Sequence, residues 1–292
     1  MPELPEIANR ASELRKHLTG RTITGIEVLQ PKCLNVSKRT FSKRLEGARF
    51  EDVSHRGKWI VAAMSEGYLL INLGMGGELL LVPSDELPEK RRVTFHLDDG
   101  RSLAVNFWWF GHTHVAAGLE DHAPIAKLGP DVLDLTKRQF RELVHGRRGG
   151  VKSFLLNQER VAGIGNAYVH DILFLAGLHP LRGLDTLTDE EVDGLWKAIR
   201  DGLKPSLKKG GAFYERDLFG RPGRFSVDDL LVAYREGKPC PTCGTPVKKL
   251  KTGSTTSFIC PTCQPRSRTA RGKKTRRTKA RRRTKKRTAK KN

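Results

Sequence analysis

The sequence predicts a multidomain α and β protein: an N-terminal two-layer antiparallel β-sandwich with flanking helices, then a C-terminal helical domain, then a small metal-held β-hairpin. Three observations carry this. Short apolar runs rich in β-formers fill the chain up to Pro130, where the pattern changes to helical spacing, and two Cys-x-x-Cys pairs stand near the end. At 292 residues the chain is long enough for two ordinary domains and an appendage. Boundaries fall at 1–131 for the sandwich, 132–238 for the helical domain, 239–264 for the hairpin and 265–292 for a basic tail.

Ile7, Ala11, Leu14 and Leu18 recur at helical spacing, so residues 5–18 are predicted to form an amphipathic helix ending at Gly20. Strands follow at Thr22 to Leu29, Trp59 to Met64, Tyr68 to Leu73, Glu78 to Val82, Val93 to Leu97 and Ser102 to Phe107. Glu66-Gly67 and Asp98-Asp99-Gly100 supply turns between them. Beyond Pro130, Thr136 to Gln139 and Thr188 to Glu191 read as capping boxes that open helices. Between these boxes, two helices meet at the turn Val161-Ala162-Gly163-Ile164-Gly165-Asn166, and the second runs to Ala176 before Gly177. A glycine turn at a helix start leaves N–H groups free for a phosphate, with Asn166 and Lys152 as added donors; an ordinary helix cap is the competing reading.

Cys240-Pro-Thr-Cys243 and Cys260-Pro-Thr-Cys263, separated by 16 residues, can supply four thiolates to one structural Zn2+. Disulfides are the alternative, disfavoured by the paired spacing. The segment Val247 to Ile259 is expected to be a hairpin whose Lys248, Lys249 and Lys251 face phosphate. Net charge is +22, and the 16 Lys and Arg of residues 264–292, with no acid among them, leave +6 for the first 263. That imbalance points to a polyanionic partner and to binding that weakens steeply with salt. No apolar run approaches membrane-spanning length and the start lacks a secretory pattern, so an intracellular protein with no membrane partner is expected.

The chain opens Met1-Pro2-Glu3-Leu4-Pro5-Glu6. If Met1 is removed, Pro2 becomes a secondary amine able to attack an electron-poor carbon and form an iminium, and Glu3 beside it can move protons. Helix initiation by Pro5 and Glu6 is the plainer reading of the same residues.

The start, Lys58 in His55-Arg56-Gly57-Lys58-Trp59, the Gly-Ile-Gly-Asn turn and the four-cysteine finger, in this order, resemble the formamidopyrimidine-DNA glycosylase and endonuclease VIII family. The resemblance runs from Pro2 to about Gln264. It implies a helix-two-turn-helix in the helical domain, and a bifunctional glycosylase and AP lyase that removes oxidised or ring-opened bases. Pro2 would be the Schiff-base nucleophile, Glu3 the proton donor, and Lys58 the lysine holding the lesion's phosphate and sugar. Met75 and Phe110 would wedge into the duplex from which the base is turned out. Lys152 and Asn166 would bind phosphate. Damaged double-stranded DNA is the implied partner of a monomer, with single strands as a further substrate.

Several residues depart from the family pattern. Trp108-Trp109-Phe110-Gly111 stands where Arg-Arg-Phe-Gly is usual, so Trp108 can stack but cannot identify an opposite base as a guanidinium does. Thr255 replaces the finger's Arg, Asn157 replaces an Asp, and Lys90-Arg91-Arg92 replaces DNA-facing histidines. Three alternatives stay open: endonuclease VIII-like preference for pyrimidine lesions; a catalytically weak protein that binds lesions or shapes DNA, to which the loss of Arg at Trp108 and Thr255 and the basic tail point; and a zinc-ribbon RNA binder, which nothing in residues 1–239 favours. The loop from Gly210 to Gly223 resembles the family segment that covers the everted base.

Overall fold

The first helix joins two cores. In the computed structural model, which describes residues 1–266, α1 (Leu4–Leu18) places Ile7, Ala11, Leu14 and Leu18 in the sandwich core, while Leu4, on the first turn, is buried in the core of the helical domain. The amino terminus is thereby held at the seam between domains. Residues 267–292, which include nearly all of the expected basic tail, lie outside the described residues.

The sandwich comprises two four-stranded antiparallel sheets. One has the order β1 (Ile23–Val28), β6 (Val93–Leu97), β7 (Arg101–Asn106), β5 (Glu78–Pro83); the other has β2 (Phe50–Arg56), β3 (Trp59–Met64), β4 (Tyr68–Asn72), β8 (His112–Ala116). Fully buried Phe41, Phe50, Phe95, Ile60 and Leu69 fill the space between layers, and truncating a buried Leu or Ile here costs about 2–5 kcal/mol. Six strands fall where the apolar runs predict. Two more, β2 and β8, and the helix α2 (Lys38–Leu45), were not predicted.

The helical domain follows a short α3 (Ala123–Ala126) and comprises α4 (Lys137–Val144), α5 (Val151–Leu156), α6 (Val169–Leu175) and α7 (Asp189–Lys208). Thr136 and Thr188 each close a capping box, with Gln139 and Glu191, so both predicted helix starts stand. The antiparallel hairpin of β9 (Lys248–Thr252) and β10 (Thr255–Ile259) packs on a small core of Phe174, Val232, Val247 and Phe258. Gln264 belongs to this fold: its side chain donates to Leu178 O at 2.9 Å and accepts from Cys260 N–H at 3.1 Å.

Candidate active site

Gly163 and Gly165 explain why the N-terminus docks where it does. Leu4 N–H donates to Gly163 O at 3.1 Å, and Gly163 has φ +108°, a region L side chains avoid. A Cβ on Gly165 would overlap the Glu3 carboxylate and stand 2.5 Å from Lys58 Nζ. The turn therefore serves close approach of the N-terminal segment, and only glycine permits it.

Pro2 is buried, and Glu3, 4% exposed, is gripped from below. Its two carboxylate oxygens accept from Gly165 N–H at 2.7 Å and Ala167 N–H at 2.8 Å. Burial pushes the Glu3 pKa up; the nearby Lys58 ammonium and these N–H groups pull it part of the way back. A carboxyl poised in this way can release and recover a proton.

Lys58 lies in the turn between β2 and β3, one residue ahead of β3. Asp131 fixes that turn, accepting from Gly57 N–H at 2.6 Å and from Arg56 Nη1 at 2.9 Å. Glu6, read from sequence as a helix-dipole residue, forms a buried hub. It accepts from Glu3 N–H at 2.9 Å, Tyr168 Oη at 2.5 Å, Ser206 Oγ at 3.3 Å and Ala212 N–H at 3.1 Å. These bonds tie α1 to α6, α7 and the loop after α7. Beside them opens a cavity of about 210 Å3, lined by Tyr168, Phe213, Tyr214, Phe225 and Tyr234. Neither Asp131 nor Glu6 carries a local motif that reveals its role; the only sequence signal was the Glu-x-x-Glu spacing at a helix start.

Met75 and the aromatic segment form one protrusion. Met75 N–H donates to Trp109 O at 2.8 Å and Trp108 N–H to Met75 O at 2.9 Å. Met75, Trp108 and Phe110 are 41%, 66% and 73% exposed, and Phe110 takes φ +58°, costly for an aromatic residue. Lys90 is exposed, whereas its neighbours are engaged: Arg91 pairs with Glu27 and Arg92 donates to Phe107 O.

Lys152 and Thr255 meet. Lys152, 2% exposed, donates to Thr255 Oγ1 at 3.0 Å, Ser257 Oγ at 2.9 Å, Thr252 Oγ1 at 3.3 Å and Thr256 O at 2.6 Å. Burial lowers its pKa to about 8. The hairpin is thus pinned to α5 by an ammonium, and a surface cleft lined by Lys152, Asn157 and Thr255 marks the seam. Asn166 is half-buried, with its Oδ1 unpartnered. Lys249 and Lys251 are exposed on one face of β9.

The four cysteine sulfurs lie within 4.8 Å of one another, with Cys240–Cys263 at 3.8 Å, Cys243–Cys260 at 3.4 Å and Cys243–Cys263 at 3.5 Å. Tetrahedral zinc with Zn–S near 2.3 Å sets S···S at about 3.8 Å, so the donors fit one zinc. A disulfide requires about 2.05 Å. Four thiolates fill the coordination shell, leaving the metal a structural role.

Comparison with known proteins gives the same parts in the same order. Residues 1–106 match the formamidopyrimidine-DNA glycosylase N-terminal domain, residues 128–216 the H2TH domain of that enzyme, and residues 237–266 the zinc finger found in FPG and IleRS. The formamidopyrimidine-DNA glycosylase of Symbiobacterium thermophilum is 37% identical over 274 residues, covering 91% of this chain and 90% of that protein. The one from Chloroflexus aurantiacus is 38% identical over 277 residues, covering 90% and 98%. Lactococcus lactis Fpg, solved in complex with DNA containing N7-benzyl-Fapy-dG, superimposes with TM-score 0.83 at 29% identity, covering 91% of this chain and all of that one. No helix among the described residues is long and apolar enough to cross a membrane. The chain belongs to the formamidopyrimidine-DNA glycosylase family.

Proposed function

We propose that this protein is a bifunctional DNA glycosylase and AP lyase of base excision repair, acting from the intracellular compartment that holds the DNA. The observation that carries the reading is the buried Pro2 beside Glu3, whose carboxylate is held by Gly165 and Ala167 and faces Lys58. Once Met1 is removed, the Pro2 nitrogen attacks C1′ of the everted nucleotide. Glu3 supplies the proton that opens the sugar or releases the base, and Lys58 holds the sugar and its phosphate. The resulting iminium acidifies C2′, so base removal and strand cleavage share one intermediate. Asn166, Lys251 and the Lys152–Thr255 seam border the path of the DNA backbone, while Met75 and Phe110 fill the emptied stack at a gain that offsets a few kcal/mol of unstacking. Lys90 adds an exposed charge on the sandwich side.

The same chemistry is consistent with the neighbours: Lactococcus lactis Fpg has been solved with abasic-site DNA as well as with a Fapy-dG lesion. Borohydride reduction with an abasic duplex tests the proposal. A covalent protein–DNA adduct and a nicked strand are expected; tight binding with neither would favour the DNA-shaping alternative. That alternative draws on Trp108 and Thr255 in place of Arg.

Trp108 has a consequence for specificity. An indole stacks on any base but offers one N–H, so it cannot read a base edge bidentately. Excision of one lesion opposite each of the four bases is expected to vary by less than about fivefold, below the ~1–3 kcal/mol discrimination of a bidentate contact. A preference of a hundredfold or more for one opposite base, on the order of 2.7 kcal/mol, would contradict this role.

A further inference from the structure

Three carboxylates surround the amino terminus, and two are held by hydrogen bonds from the fold. Glu3 accepts from two backbone N–H groups and Glu6 from four donors. Glu215 differs. Its backbone is fixed on both sides, Glu215 N–H donating to Ala212 O and Gly223 N–H to Glu215 O, each at 2.9 Å. Its side chain is only 13% exposed, yet among the described residues no hydrogen-bond donor reaches the carboxylate. Its oxygens reach solvent, so they stay free for a substrate. The nearest cation is the Met1 nitrogen at 4.0 Å.

Met1 indicates what Glu215 faces when substrate is bound. The tertiary amide joining Met1 to Pro2 is planar, as is an iminium on the same nitrogen. The Met1 carbonyl carbon therefore stands in for C1′ and its Cα for C2′. The Met1 nitrogen, one bond further on, stands in for a substituent of C2′. An oxygen of Glu215 thus lies 4.0 Å from the atom that stands in for a substituent of C2′, the carbon whose proton must leave before the strand can break.

We propose that Glu215 is the base of the lyase step, taking the C2′ proton from the iminium that Pro2 forms. The assignment rests on the Pro2 reading above. The C2′–H bond breaks and its proton passes to the Glu215 carboxylate. The electron pair becomes, by way of the enamine, the C2′=C3′ double bond as the C3′–O bond breaks, and the 3′ phosphate departs with that bond's electrons. Glu3, Glu6, Arg10 and the N-terminal amine are the charges that face Glu215. Burial raises its pKa above the ordinary carboxylate value, which makes the carboxylate a better proton acceptor.

The test uses the full zinc-loaded chain, freed of Met1, with an abasic duplex. Glu215→Gln is expected to form the borohydride-trapped adduct at the parental yield while nicking, without borohydride, falls about 100-fold or more. The unreduced iminium should accumulate, and Glu215→Asp should recover part of the nicking. Parental nicking by Glu215→Gln overturns the assignment alone, as does a parallel loss of adduct and nicking, which would mark a structural role. Absence of adduct with the parent chain overturns the amine reading and this assignment together.

Discussion

Replacing Glu3 by Gln is expected to lower base excision by about 10^2- to 10^4-fold, the usual contribution of a positioned proton donor, while the protein remains folded. The amide keeps one oxygen for Gly165 or Ala167 N–H and so preserves much of the grip on the turn. It has no proton to give. A second consequence concerns stability. Burial raises the Glu3 pKa in the folded state, so the folded protein binds that proton more tightly than the unfolded chain does. The stabilisation from this group is complete below the unfolded carboxyl pKa of about 4.3 and is lost as pH rises through the folded value. Thermal melts from pH 4 upward should therefore fall less steeply with pH in Glu3→Gln than in the parent, by about 1.4 kcal/mol for each pH unit between the two pKa values. Single-turnover excision at the parental rate would remove Glu3 from the chemistry.

Stripping the metal should have the second large effect, on binding rather than on the amine. The hairpin's own core amounts to a few side chains, so zinc ligation supplies most of its folding energy, with apparent values of about 10–16 kcal/mol in small zinc domains. When the hairpin unfolds, Lys152 loses Thr252, Thr255, Thr256 and Ser257 together, leaving an ammonium at the domain seam without protein acceptors. Lys249 and Lys251 lose their fixed face at the same time. Chelation, or Cys260→Ser, is expected to weaken binding to abasic duplex by about 100-fold or more, an effect of roughly 2.7 kcal/mol, while the helical and sandwich cores still melt cooperatively. Fluorescence anisotropy and calorimetry measure the two effects. Unchanged affinity after complete metal removal would show that the finger is not needed to hold DNA.

Legibility in the sequence followed the kind of interaction at stake. The six predicted strands have apolar runs, and the cysteine spacing carries its own geometry. β2 was missed because a bulge between Phe50 and Asp52 breaks the period of two, bringing Phe50 and Val53 to the core three residues apart. β8 was missed because its outward positions are His112 and His114, so His-Thr-His-Val-Ala reads as polar. α2 buries only Phe41 and Leu45, too little periodicity to see. At the site, Pro2, Glu3 and Lys58 stood in recognisable motifs. Asp131 and Glu6 pair with groups far away in sequence, Gly57 and Ala212 among them, and such pairings leave no local pattern. Lys152 was read as a free phosphate donor, yet it is spent on the hairpin hydroxyls; burial of a lysine depends on a fold partner about 100 residues away.

The most direct measurement is to map the borohydride-reduced adduct by peptide mass spectrometry, together with the intact mass of the protein as purified. The account predicts a chain lacking Met1, with the sugar attached to the Pro2 nitrogen and no modified lysine. Attachment to Lys58 or another lysine, or full activity in protein whose Met1 is retained or whose Pro2 nitrogen is acylated, would contradict it.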